Sequence, residues 1–346
     1  MKEVLRIIVL TALTSFFSTS CEKVVIKPDP EGTPTRCFES LYKRVKERYA
    51  FLKYKNINWD SVRDALAPKV YDDMSDDSLF KVLDEMLYNL RDGHVNLISP
   101  FNISRNWQWY LGYPQNFNST VLERNYLGND YHITGPFINK IFVRNNKKIG
   151  YMRYSSFSSD FSDYQLNYVI TRFQNTDGLI IDLRNNGGGR VNNIYKLINR
   201  FVTEKTLIGR EYEKSGPGLN DFKLSIEQYA EPAKDEKGNP LLQYLYKPIV
   251  LLTNRSCYSA CNSFVAGMSI LNNVTIVGDQ TGGGGGLPTS YQLPNGWVYR
   301  ISTTYSELPD GFNIEHGIPA DIHINMDPLR EAAGIDDILE KAFELF

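Results

Sequence analysis

The sequence predicts an α/β fold in which a mixed core over residues 148–346 follows a helical domain over residues 37–97. Two observations carry this reading. From Lys148 onward, short apolar runs that read as buried strands alternate with segments of helical period. Before Leu97 the apolar residues instead recur at 3/4 spacing. Phe38, Leu41, Val45 and Tyr49 form one stripe, and Leu79, Leu83, Met86, Leu87 and Leu90 form another.

In chain order, residues 1–20 read as an export signal. Lys2 and Arg6 precede an apolar run, Ile7 to Phe17, that is too short to span a bilayer as a helix. Ser18-Thr19-Ser20-Cys21 resembles a bacterial lipoprotein signal, with cleavage before Cys21 and lipid attached to it. An ordinary secretory signal with an incidental Cys21 is the alternative. Residues 21–36, rich in proline and charge, read as a tether. In the helical domain, Ser75 and Ser78 with Asp76 and Asp77 suit a helix N-terminus. Residues 98–147 are polar, aromatic and Asn-rich, with strand-like pieces at Tyr131–Thr134 and Lys140–Val143.

The core then reads as a strand at Ile149–Tyr154, a helix at Asp163–Phe173 and a strand at Gly178–Leu183. A glycine loop leads to a helix at Ile194–Phe201. A strand at Ile249–Thr253, a helix at Ala260–Leu271 and a strand at Val274–Val277 follow, then a β-rich stretch at Ser290–Thr304 and a terminal helix at Asp336–Leu345. Such alternation gathers loops at one edge of a sheet.

Composition narrows the function. A net charge of −2 argues against a phosphate-binding surface, and so against a nucleic-acid partner. Setting Cys21 aside leaves Cys37, Cys257 and Cys261, an odd number that does not suit a disulfide framework. Cys261 reads as a small buried residue. The four histidines lack H-x-x-x-H or H-x-H spacing, so no metal site is implied.

Ser259 stands where a core strand turns into a helix, and free amides and the helix dipole there favour a developing negative charge. It reads either as a nucleophile or as a plain N-cap. The Asp182–Arg190 glycine loop also opens a helix and could present amides to an anion, although no dinucleotide or P-loop pattern is present. The run Gly282–Gly286 implies a backbone that passes close to something, or that moves. His94 closes a helix, with Gly93 allowing a sharp exit; it reads as a base or as a helix-dipole partner. His132, His316 and His323 have no constellation around them. Among the acids, Glu315 stands out in a low-charge stretch, with Glu307 competing.

Several segments in order resemble the C-terminal processing (tail-specific) serine peptidases, on their tricorn-core side. They are Gly150–Phe157, Asp182-Leu-Arg-Asn-Asn-Gly-Gly-Gly189, Asn254–Phe264, Gly278-Asp-Gln-Thr-Gly-Gly283 and, more loosely, Gly317-Ile-Pro-Ala-Asp321. The resemblance implies a ClpP/crotonase-like ββα-spiral core whose N-terminal helical cap lends a histidine. It makes Ser259 the nucleophile and His94 the general base, with Glu315 as the orienting acid and Glu307 or Asp92 as alternatives. Amides of Gly188 and Ala260 would form the oxyanion hole. The lysine of the family's Ser–Lys dyad is replaced by Gly284. Residues 95–148 leave no room for the family's PDZ domain, so C-terminal tail recognition is not carried over.

The function so implied is a serine endopeptidase acting through an acyl-enzyme on peptides or unfolded protein, without metal or cofactor. It would be exported and lipid-anchored to a bacterial membrane, periplasmic or at the cell surface. A non-catalytic peptide or small-hydrophobe binder on the same scaffold and a non-peptide ester or amide hydrolase are the alternatives.

Overall fold

The computed structural model describes residues 31–106 and 111–346. Cys21, the proposed signal and most of the proposed tether lie outside the described residues. The cap is built on α1 (Pro34–Arg48), α2 (Trp59–Leu66) and α3 (Asp76–Tyr88). Helix α1 begins inside the stretch read as a tether. Thr33 caps it by accepting from Arg36 N, and Pro34 occupies the first turn, where a missing N–H breaks no helical bond. Ser75 caps α3 in the same way, with Asp76 and Asp77 in the positive first turn. The stripes on α1 and α3 meet in one cluster, and Leu293, Trp297, Tyr299 and Ile301 from far along the chain complete it.

Those four residues come from around a small antiparallel sheet ordered β1 (Asn96–Ile98), β11 (Val298–Ser302), β10 (Pro288–Gln292). The cap is therefore stitched to the C-terminal half of the chain immediately after His94. A third sheet is ordered β12 (Thr304–Glu307), β6 (Thr206–Lys214), β7 (Phe222–Ala230).

The central sheet has seven strands ordered β13 (Ile322–His323), β9 (Val274–Gly278), β8 (Ile249–Thr253), β5 (Gly178–Asp182), β4 (Lys147–Tyr154), β3 (Phe137–Arg144), β2 (His132–Thr134). The first five run parallel, and β3 and β2 are antiparallel additions. The sheet thus begins at His132, ahead of the boundary read at Lys148. Both faces are covered, which explains the unbroken apolar runs of β5 and β8. Leu179, Ile181, Ile249 and Leu251 face α4 (Asp163–Phe173), α5 (Val191–Ile198) and α6 (Ala260–Met268). Ile180, Val250 and Leu252 face the other side, where α8 (Asp337–Phe343) packs beyond α7 (Pro328–Ala332). Each such fully buried side chain contributes about 1.5–3 kcal/mol.

Candidate active site

Strands β5 and β8 are neighbours, so the loops that leave their carboxyl ends lie side by side. A buried charge network fixes the first loop. Asp182 accepts from Arg184 Nε at 3.0 Å and Nη2 at 2.7 Å, while Arg184 Nη1 reaches Asp336. Both side chains are fully buried, and the paired charges hold Asp182 below its ordinary value and Arg184 above its own, despite desolvation. The two loops are then sewn together. Asn254 Oδ1 accepts from Asn185 N, Asn254 Nδ2 donates to Asn185 Oδ1, and Tyr258 N donates to Asn186 O.

Ser259 emerges from this seam with φ 54° and ψ −123°, a conformation that costs a non-glycine residue about 1–3 kcal/mol. Its hydroxyl makes no N-cap bond to α6. It lies instead 3.0 Å from His94 Nε2. The cap reading of Ser259 is therefore set aside by geometry. The cap domain supplies His94 across 165 residues of sequence. The imidazole is buried against the Tyr258 ring, with centroids 4.9 Å apart. Burial pushes its pKa below the ordinary 6.5, partly offset by the charge of Asp92.

The exit from α3 is not made as expected. Arg91, not Gly93, takes the left-handed conformation, at φ 48°. Gly93 is needed for a different reason: a Cβ there would sit 3.0 Å from the Tyr258 hydroxyl.

The acids sort themselves by contact. Asp92 is buried and accepts the His94 backbone N–H at 2.8 Å through Oδ1. Its Oδ2 accepts from Ser302 Oγ at 2.8 Å and Tyr49 OH at 3.0 Å. The Lys55 charge, then His94 through its charge and its backbone N–H, and Ser302 together outweigh desolvation, and the Asp92 carboxyl lies below its ordinary value. Glu315 does not reach the imidazole. It pairs with Lys55 Nζ at 2.6 Å and accepts Gly285 N at 2.8 Å. Glu307 lies on β12 opposite Arg210, on the wall of the cavity. Among the described residues no carboxylate meets His94 Nδ1, which is buried without a hydrogen-bond partner among them. The expected orienting bond from Glu315 to His94 is thus absent, because Lys55 holds that carboxylate. Lys55 itself was missed: nothing in Tyr49–Asn58 marks it, and only burial to 7% exposure reveals it.

Both expected oxyanion donors lie beside Ser259. Ala260 opens α6, so its N–H is one of the helix's unclaimed first-turn donors. Gly188 approaches so closely that a Cβ would fall 2.8 Å from Ala260 N and 2.9 Å from Ser259 Cβ. Its own N–H, however, donates to Asn186 Oδ1 at 3.0 Å. In this conformation one of the two expected donors is thus already engaged. Gly188 combines this contact with φ +95°, so the Cβ of Gly188→Ala is expected to push this amide, the second expected oxyanion donor, off the serine turn and to lower kcat by about 100-fold or more. Steady-state kinetics on the variant measure it.

The run Gly282–Gly286 is wholly buried. A Cβ at Gly283 would lie 1.9 Å from Glu315 O, and one at Gly284 2.5 Å from the Tyr258 ring. Close approach, not movement, is what these glycines serve. Cys37, Cys257 and Cys261 are free and buried, and burial drives the Cys261 thiol well up, which disfavours a thiolate. Among the described residues no three His, Cys, Asp or Glu side chains are placed to hold a metal. A cavity of about 830 Å³ opens beside Ser259 and His94.

Residues 148–324 match peptidase family S41, and residues 30–88 match the tricorn protease C1 domain. A carboxyl-terminal-processing protease of Picosynechococcus sp. is 25% identical over 198 residues, covering 56% of this chain and 43% of the relative. The chain thus aligns with less than half the length of that relative. A crystal structure from Parabacteroides merdae, whose peptidase assignment is provisional, is 39% identical with a TM-score of 0.84, over 90% of this chain and 96% of the other. Mature CPAF bound to lactacystin shares the fold alone, with a TM-score of 0.65 at 12% identity over 90% of this chain and 97% of the other. The family match spans half of the sequence and takes in both loops at the serine turn, and the chain belongs to peptidase family S41.

Proposed function

We propose that this chain is a serine endopeptidase in which Ser259 is the nucleophile and His94 the general base. The carrying observation is the 3.0 Å contact between His94 Nε2 and a Ser259 hydroxyl that makes no helix cap. Ser259 Oγ attacks the substrate carbonyl carbon while its proton passes to His94 Nε2. The same proton then goes to the leaving amine as the C–N bond breaks, and water repeats the sequence to free the acyl group. Ala260 N–H stabilises the oxyanion, joined by Gly188 N–H once that amide leaves Asn186. Asp92 positions the base through its backbone, and Glu315 acts at one remove through Lys55.

The test is digestion of an unfolded protein such as reduced casein by the purified chain and by Ser259→Ala. Cleavage by the first alone supports the proposal; cleavage by both overturns it. Ester turnover without proteolysis would favour the non-peptide hydrolase, and neither activity would favour a binder.

The base must be neutral, so the rate is expected to fall as pH drops through the His94 pKa. Burial lowers that pKa, so the acid limb of kcat/KM should have its midpoint below 6.5. Asp92→Asn, which removes a charge that raises it, should move the midpoint lower still.

The proposal also places the protein on a membrane through lipid at Cys21, with peptide or unfolded protein as its partner. Metabolic labelling with palmitate in a bacterial host is expected for the native chain and not for Cys21→Ala.

A further inference from the structure

The cavity beside Ser259 has two kinds of wall. Ile194 on α5, Ile208 on β6, Ala266 on α6 and Ile314 give it an apolar floor. Glu211, Gln228 and Ser306 line it farther along the β12–β6–β7 sheet. Glu211 is only 8% exposed, and its neighbour Arg210 pairs with Glu227. Strand alternation therefore turns Glu211 to the opposite side, where its register partner is Ser306. The carboxylate is felt at Tyr195 on α5, another lining residue, whose phenol is pushed up by burial and then by the Glu211 charge.

Among the described residues no cation pairs with Glu211. Burial, and then the charge of Glu213, raise its carboxyl, the signature of an acid without a counter-charge. The two arginines lining the cavity are engaged elsewhere. Arg255 binds Asp279, and Arg300 donates to His94 O and Asn96 Oδ1. Leaving a buried carboxylate unpaired is destabilising, and a substrate cation would relieve it.

We propose that this cavity takes a substrate side chain with an aliphatic stem and a cationic head, a lysine or arginine, whose charge is met by Glu211. The stem would run along Ile194 and Ile208, and the head would replace solvent at the carboxylate. This rests on Ser259 being the nucleophile, and it adds the class of residue recognised beside the cleaved bond.

The test uses the full chain with three probes: a plain alkyl fluorophosphonate, and two peptidyl diphenyl phosphonates that carry lysine or norleucine next to the phosphorus. Norleucine has the same carbon stem and no ammonium. The lysine probe is expected to label about 10- to 100-fold faster than the norleucine probe, the usual worth of one charged hydrogen bond. In Glu211→Gln that ratio should collapse towards one, while the fluorophosphonate and norleucine rates stay at wild-type values and so report an intact fold. Equal rates in the wild type, faster norleucine labelling, or a ratio unchanged in Glu211→Gln would each overturn the inference. No labelling by the fluorophosphonate would overturn the nucleophile reading instead.

Discussion

Ser259→Ala is expected to lower kcat by about four to six orders of magnitude and to abolish fluorophosphonate labelling, while substrate still binds. His94→Ala should do nearly as much, and the double variant should be no slower than the worse single one. The reason is the geometry of the pair. Among the described residues the hydroxyl has one side-chain partner, 3.0 Å away, and without that base an alcohol is a poor nucleophile. Residues that act as a unit lose their shared effect only once, so strict additivity would show that they act independently. What survives should be the contribution of the Ala260 amide and of binding. Single-turnover kinetics on the four proteins decide it, and labelling that persists in Ser259→Ala would move the nucleophile elsewhere.

Lys55→Met is expected to destabilise the fold by about 3–5 kcal/mol, because it strands Glu315 and Asp92 in a site with almost no solvent. The double variant Lys55→Met/Glu315→Leu should recover most of the loss, since an apolar replacement of a buried pair is often near neutral. The sign of the pH effect follows from Glu315. Burial pushes its carboxyl up from 4.5 to about 7 even with Lys55 pulling it down. A raised folded value contributes stability that is fully present below the unfolded value and lost as pH rises through the folded one. Without Lys55 the carboxyl moves higher still, so the deficit of Lys55→Met should be smallest near pH 4.5, where Asp92 alone is stranded as a charge, and grow through pH 7. Urea midpoints across that range measure it. A double variant as unstable as the single one would show that the pair is not what matters.

Much of this was legible in the sequence where the cause is local. Helix α4 runs from Asp163 to Phe173 as its period predicts, because Ser162 and Gln165 close a capping box at its start. Strand β8 falls at Ile249–Thr253 because burial on both faces needs an unbroken apolar run. Ser259 and His94 each sit at a marked punctuation point, a strand–helix turn and a helix exit. The β6–β7 hairpin was not legible. Its β7 strand leaves Leu224 and Ile226 exposed, and β6 interleaves Arg210, Glu211, Glu213 and Lys214, so neither strand shows a clean inside and outside. Asp92 was among the candidate partners of His94, but its contact is to the backbone N–H and not to the ring, and its seating depends on Tyr49 and on Ser302, 210 residues away. The bond that occupies Gly188 N–H is likewise a matter of one side-chain rotamer at Asn186.

The seating of His94 also has a consequence in time. Two residues after it, β1 pairs with β11, with Asn96 opposite Arg300, and Ser302 on β11 holds Asp92. A ribosome makes residue 94 long before residue 259, yet the strand that seats residue 94 is made later than either. Translation order therefore withholds the base from the serine until about forty further residues have emerged past it. A chain still being synthesised would carry only an unreactive alcohol at Ser259. Ribosome-bound chains stalled soon after Gly286 should ignore the fluorophosphonate that marks the released protein.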